Sequence, residues 1–212
     1  MKDGIVFIII TACVFLAVEI ISRIMQKKYA DKLTELLMEQ RFEEFDGMID
    51  SLPVRLFVYP FNRDYLKLSR HQLAGNTGRV SELFEKFKGK GMSNAQKKDI
   101  YLQAFNHYLS KGDYKECSYY HDEINKLKDA DSIIQAVNTT FDIVVDKKTD
   151  MLDDLLKETK ELPENRRGIN EMLISQIYMN LGEKKKSQDY QKLANQHMAA
   201  LQKELEKEAD EQ

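Results

Sequence analysis

The stretch "YLSKGDYKECSYYHDEI", residues 108–124, holds the end of one helix, a tight turn at Lys111-Gly112-Asp113 and the immediate start of a second helix. Whether this hairpin is a single event or a repeating unit decides the fold. Gly182, in "IYMNLGEKKKSQDYQKLANQH", is the centre of the same design: Tyr178 before the loop, glycine in the turn, the small Ser187 where Cys117 stands, and Ala194 further on. The two glycines are 70 residues apart, or two periods of 35, which predicts a turn near residue 147. The stretch "IVVDKKTDMLDDLLKET" supplies it, leaving an apolar helix at Val145 and resuming an apolar stripe at Met151, Leu152, Leu155 and Leu156. Stepping back by the same period reaches the loop Gly75-Asn76-Thr77-Gly78 in "QLAGNTGRVSELFEKF", then the break at Gln40-Arg41 in "LLMEQRFEEFDGMI". Five helical hairpins, with turns near Gln40, Gly78, Gly112, Lys148 and Gly182, thus account for nearly everything from Tyr29 to Ala200. Residues 53–60, "PVRLFVYP", are the exception, and two prolines around a β-branched and aromatic stretch predict an extended or short helical connector.

A period of about 35 with Tyr101, Ala104, Tyr108, Gly112, Tyr114 and Cys117 in one unit, and Tyr178, Gly182, Ser187 and Ala194 in another, resembles the tetratricopeptide repeat family. The other three units depart from its pattern, with Phe45 and Leu83 at the small-residue position and Lys147 in place of the glycine. The resemblance implies an all-α protein whose hairpins stack into a right-handed α-solenoid, each covering the apolar face that its neighbour leaves open. It also implies binding of a partner's peptide or helix on the concave face formed by the first helices. Some members of the family clamp a terminal carboxylate with two asparagines and several basic residues. Asn106 and Asn138 fall near the asparagine positions, but Leu102 stands where a lysine is expected and Ile169 and Leu173 take the basic positions, which argues against a clamp. The partner-binding candidates are therefore Leu102, Asn106, Leu109, Asn138, Met172, Gln176 and Met179, an apolar and amide-bearing set. Any one of them could equally pack between repeats.

The amino terminus carries a different signal. The run "GIVFIIITACVFLAVEII", residues 4–21, holds a single charge, Glu19, and as a helix spans about 27 Å, close to one hydrocarbon core. It reads as a transmembrane helix. Neither a buried core helix nor a cleaved signal fits as well, because the run is apolar all round, is followed by basic residues and lacks a small-residue cleavage site. Ile10-Thr11-Ala12-Cys13 loosely resembles a lipobox, but the apolar run continues through Cys13 without a polar tether. Arg23, Lys27, Lys28 and Lys32 follow the span, and the positive-inside rule then places the large domain in the cytoplasm. Proline and glycine are both absent from 5 to 46, so the span is expected to continue directly into the first soluble helix. The expected organisation is an anchor over 1–26, a repeat domain over 27–200 and a charged cap or tail over 201–212.

Composition limits what else the chain can be. Three prolines, nine glycines and 32% charged residues in 212 suit a helical protein, and a net charge of −3 gives no basic excess for nucleic acid. Cys13 and Cys117 form no metal or redox motif, and Cys117 reads as a packing thiol. His71, His107, His121 and His197 are scattered, although His107 and His121 lie on adjoining helices. No phosphate-binding loop occurs, and no cofactor is implied. The sequon Asn138-Thr139-Thr140 falls inside a helix on the cytoplasmic side and is discounted. The leading reading is a bacterial membrane-anchored scaffold that gathers a protein partner at the cytoplasmic face. Its alternative is the same scaffold facing outward, assisting secretion or envelope assembly, or held as a lipoprotein through Cys13. An unrecognised enzyme comes last, since the length is spent on hairpins.

Overall fold

The computed structural model describes residues 2–210, with side chains for 15, 16 and 18–208. The apolar run 4–21 and Cys13, on which the membrane and lipoprotein readings rest, thus lie largely outside the described side chains. Among the described residues no helix is long and apolar enough to cross a membrane. The architecture is all-helical, with no strand among the described residues. It divides into two compact units, residues 1–91 and 92–212.

The first unit comprises α1 (Lys2–Met38), α2 (Phe42–Ile49), α3 (Leu52–Phe57), α4 (Pro60–Leu73) and α5 (Thr77–Phe87). As expected, α1 runs unbroken through residue 26. Its carboxyl-terminal part buries Leu33, Leu36 and Leu37 against Phe45 and Ile49 of α2 and against Val54 and Val58. The predicted connector over 53–60 is the short helix α3, with Pro53 in its first turn, followed by Pro60 at the start of α4. Both prolines sit where a helix needs no amide donor. Helices α4 and α5 pack together, joined by the buried Asp64, which accepts hydrogen bonds from Lys86 at 2.6 Å and from Lys90. Burial pushes the Asp64 carboxyl up, but the two ammonium groups outweigh it and hold it below the usual carboxylate range.

The second unit comprises α6 (Asn94–Lys111), α7 (Tyr114–Asn125), α8 (Asp131–Val144), α9 (Leu152–Glu161), a single 3-10 turn (Glu164–Arg166), α10 (Gly168–Asn180) and α11 (Lys184–Asp210). Ser93 starts α6 with a reciprocal cap: its hydroxyl accepts from the Gln96 amide, and the Gln96 side chain accepts from the Ser93 amide. In this unit α6 packs on α7, α7 on α8, and α10 on α8, α9 and α11. Ile143, Leu155, Leu173, Ile174, Ile177 and Tyr178 form one core. Gly168 permits the approach of α10 to α11, since a Cβ there would lie 2.6 Å from Met198 Cγ and 3.1 Å from the Ala194 carbonyl oxygen. The charged tail is the continuation of α11, and Glu204 accepts a hydrogen bond from Asn165 at 2.5 Å.

The five reversals share one backbone device. Gln40, Gly75, Gly112, Lys147 and Gly182 all have left-handed φ, at 55°, 68°, 69°, 61° and 79°. Four of these turns close with the same pair of bonds, for instance Asp113 N–H to the Tyr108 carbonyl and Gly112 N–H to that of Leu109. The residue five beyond the reversal is buried in each of those four: Phe45, Val80, Cys117 and Ser187. Two expectations are corrected. The second reversal is at Gly75, because Gly78 already lies within α5, and so Val80 rather than Leu83 takes the small-residue position. The fourth turn is wider, with Lys148 N–H reaching the Asp142 carbonyl, and α8 and α9 are not a close-packed pair.

Candidate binding surface of the second unit

Counting back from each reversal aligns the first helices of the second unit. Three, six and ten residues before it stand Leu109, Asn106 and Leu102 on α6, Val144, Phe141 and Val137 on α8, and Met179, Gln176 and Met172 on α10. Six of the seven candidates read from the sequence therefore occupy one repeated stripe. The seventh, Asn138, is one position off it.

Exposure differs along the stripe. On α6, Asn106 is exposed while Leu102 and Leu109 are half-buried. On α8, Val137 is buried and Phe141 and Val144 are half-buried. Helix α10 is the most open: Met172 and Met179 are 41% and 48% exposed and Ile169, one turn earlier, is 63% exposed, with Gln176 half-buried between them. This helix is apolar nearly all round. Leu173, Ile174, Ile177 and Tyr178 are used in the core, so Ile169, Met172 and Met179 form a further apolar face. Gln176 donates to Asn180 Oδ1 at 2.9 Å, and Asn180 donates to the Ile143 carbonyl at 2.8 Å, which ties α10 to the last turn of α8. The two amides thereby hold the α8 and α10 stripes side by side.

Asn138 points instead to α7. Its Oδ1 lies 2.8 Å from His121 Nε2 and accepts from Asn125 at 3.0 Å, while its Nδ2 donates back to Asn125 at 3.2 Å. The His121 ring stacks on Phe141 with centroids 4.1 Å apart. With both ends of the Asn138 amide used between helices, the network is better suited to fixing α7 on α8 than to holding a carboxylate. His107 packs edge-on against Tyr108, so it has a different neighbour from His121. Burial, aided by Lys111, lowers its pKa below the ordinary 6.5.

No family model matches the chain, and no curated protein or solved structure matches it. The surface therefore has to be read on its own chemistry. Among the described residues no cluster of His, Cys, Asp or Glu could hold a metal ion. The Cys117 thiol is buried against the Phe105 carbonyl, with its pKa pushed up to about 12 by burial and by Asp113. It is held as a neutral packing group.

Two features escaped the sequence. Ile169 reads there only as a missing basic residue, although its spacing to Met172 and Met179 would have joined it to the stripe. The buried Glu171, 2.7 Å from His197 Nδ1, links α10 to α11. Nothing local marks that pair, because its partners are 26 residues apart.

Proposed function

We propose that the chain is a membrane-anchored helical-repeat scaffold, similar to tetratricopeptide proteins, that binds a peptide or helix of a protein partner on the first-helix stripe of the second unit. The observation that carries this reading is the recurrence of a left-handed reversal at Gln40, Gly75, Gly112, Lys147 and Gly182. Their spacing of 35 to 37 residues, rather than the left-handed φ, which Gly89 and Asp129 share, is what supports hairpins that stack, and stacked hairpins present their first helices as an extended surface. The unpartnered face of Ile169, Met172 and Met179 supports it, since methionines adapt to varied apolar anchors. Burying one such side chain contributes about 1.5–3 kcal/mol, so this face supplies anchors, and a partner's further contacts along the stripe must meet the cost of association. The apolar run 4–21 supplies the anchor, and Arg23, Lys27, Lys28 and Lys32 favour the cytoplasmic side.

The test is a photocrosslinking side chain placed at Met172 or Met179 of the full chain in native membranes, compared with one at the exposed Lys192 of α11. The expected result is one common product from positions 172 and 179, absent from 192 and lost when Met172→Asp is added to the position-179 probe. Equal products from all three positions, or none from the stripe, overturn the scaffold reading. Protease added outside intact cells is expected to leave the units whole. Their digestion moves the same scaffold to the outer face, in line with secretion or envelope assembly.

A further inference from the structure

The segment 52–60 stands outside the repeat pattern, yet its two faces are sharply different. Val54 and Val58 are buried in the core shared with α1 and α2. Leu52, Leu56 and Tyr59, spaced four and three residues apart, point the other way and are 69%, 69% and 65% exposed. The connector, α3 and the two residues after it, is thus apolar on two sides, one packed in the core and the other exposed.

Its position along α1 gives that face a setting. Helix α3 packs on α1, with Phe57 stacked on Tyr29 at 6.2 Å between ring centroids. Tyr59 reaches further back and, with Phe15, Val18, Glu19, Ser22, Arg23 and Gln26, lines one groove. It therefore sits beside the end of the apolar run and the first turn after it. Ile20, Ile21 and Ile24, on the side of α1 away from that groove, are exposed at the same level, so apolar surface lies on both sides of α1 at this height. The charges bordering it are mostly cationic. Arg23 and Lys32 are matched by Glu19 at 2.6 Å and Glu35 at 2.5 Å, leaving exposed Lys27, Lys28 and Arg55 against Asp31.

We propose that α3 and Tyr59 lie in the headgroup region of an anionic lipid surface, beside the point at which α1 leaves the bilayer. This rests on reading residues 4–21 as the membrane span. Leucines on a short helix enter the upper acyl region, a tyrosine beside them keeps its hydroxyl at the headgroups, and nearby cations meet the lipid phosphates. Such a contact holds the first unit at a fixed angle to the membrane, where a single helix alone would leave it free to tilt.

The chain has no tryptophan, so one introduced tryptophan reports alone. Full-length Leu56→Trp, Phe15→Trp and Leu73→Trp proteins, checked for unchanged helicity by circular dichroism, are placed in vesicles of phosphatidylcholine and phosphatidylglycerol. The lipid is brominated near either the headgroup end or the tip of the acyl chain. Leu73 is exposed at the far end of α4, about 20 Å along its axis from Pro60, and serves as the reference. The expected result is strong loss of Leu56→Trp emission with the shallow bromines, strong loss of Phe15→Trp emission with bilayer bromines of either depth, and little loss at Leu73→Trp. Replacing phosphatidylglycerol by phosphatidylcholine is expected to lower the quenching at Leu56→Trp, and unchanged quenching overturns the charge-based part of the proposal. Quenching of Phe15→Trp while Leu56→Trp behaves like Leu73→Trp overturns the proposal and leaves the anchor standing. Equal quenching at Leu56→Trp and Leu73→Trp overturns the assignment to α3. No quenching at any position overturns the anchor and this proposal together.

Discussion

In the hairpin of α6 and α7 the chain reverses at Gly112 and the two helices press together, whereas in that of α8 and α9 it reverses at Lys147 and the helices stand apart. The residues at the crossing explain the difference. The first hairpin offers Ala104 and Cys117, both fully buried and small enough for the backbones to approach, with Cys117 Sγ 3.9 Å from the Phe105 carbonyl oxygen. The second offers Thr139, Thr140 and Leu152, all half-buried, and the Thr140 hydroxyl bonds back to the Ala136 carbonyl of its own helix. Bulkier, branched side chains there suit a wider separation than alanine and cysteine do, and α10 packs on both helices. A hairpin can thus keep the period of its neighbours while its own two helices part, provided that the next helix covers their faces.

The largest test of this contrast is at the centre of each pair. Tyr120, fully buried and stacked on Tyr108 at 5.7 Å between centroids, and Leu155 stand eight residues after their respective reversals. Tyr120→Ala is expected to cost about 3–5 kcal/mol, and Leu155→Ala about 2 kcal/mol, at the low end for such truncations because the looser pair can relax around it. Urea unfolding of both variants checks the order, and a larger cost at Leu155 would mean that the core shared by α8, α9 and α10 is packed as tightly as the α6–α7 pair.

A smaller effect sharpens the account of the crossing itself. Cys117→Leu is expected to overpack the α6–α7 contact and cost about 1–3 kcal/mol, while Cys117→Ala stays well below that. The raised thiol pKa, with burial, also predicts slow labelling of Cys117 by an alkylating reagent at neutral pH. Rapid labelling in the native state would show that this pair opens readily.

The smallest expected change concerns the reversals. Lys147 adopts its left-handed conformation at a cost that glycine avoids, so Lys147→Gly is expected to stabilise by about 1 kcal/mol, and Gly112→Ala to destabilise by about as much. Thermal unfolding of the two variants measures both. A loss at Lys147→Gly would mean that the bond from Lys147 Nζ to the Val144 carbonyl, at 2.6 Å, matters more than the strain.

The helical class, the 35-residue period and four of the five reversals were legible in the sequence, because a turn is specified by a few adjacent residues and a helix by spacing within one segment. The second reversal differs from its expected place by three residues, since Gly75 and Gly78 are equivalent as loop formers and the bonds from Gly75 N–H to the Gln72 carbonyl and from Asn76 N–H to the His71 carbonyl select the first. Six of the seven candidate surface residues share one position in the register counted from the reversals. Asn138 stands one position off that register, and its side chain meets His121 and Asn125 on another helix, because no spacing along one helix reports which neighbour will stand opposite. The division at residue 91, the parting of α8 from α9 and the outward turn of Leu52, Leu56 and Tyr59 are likewise matters of what packs against what. The sequence by itself determined where the chain bends and which residues are apolar. Only the tertiary structure decided which apolar residues are covered, because burial depends on partners that are distant in the chain.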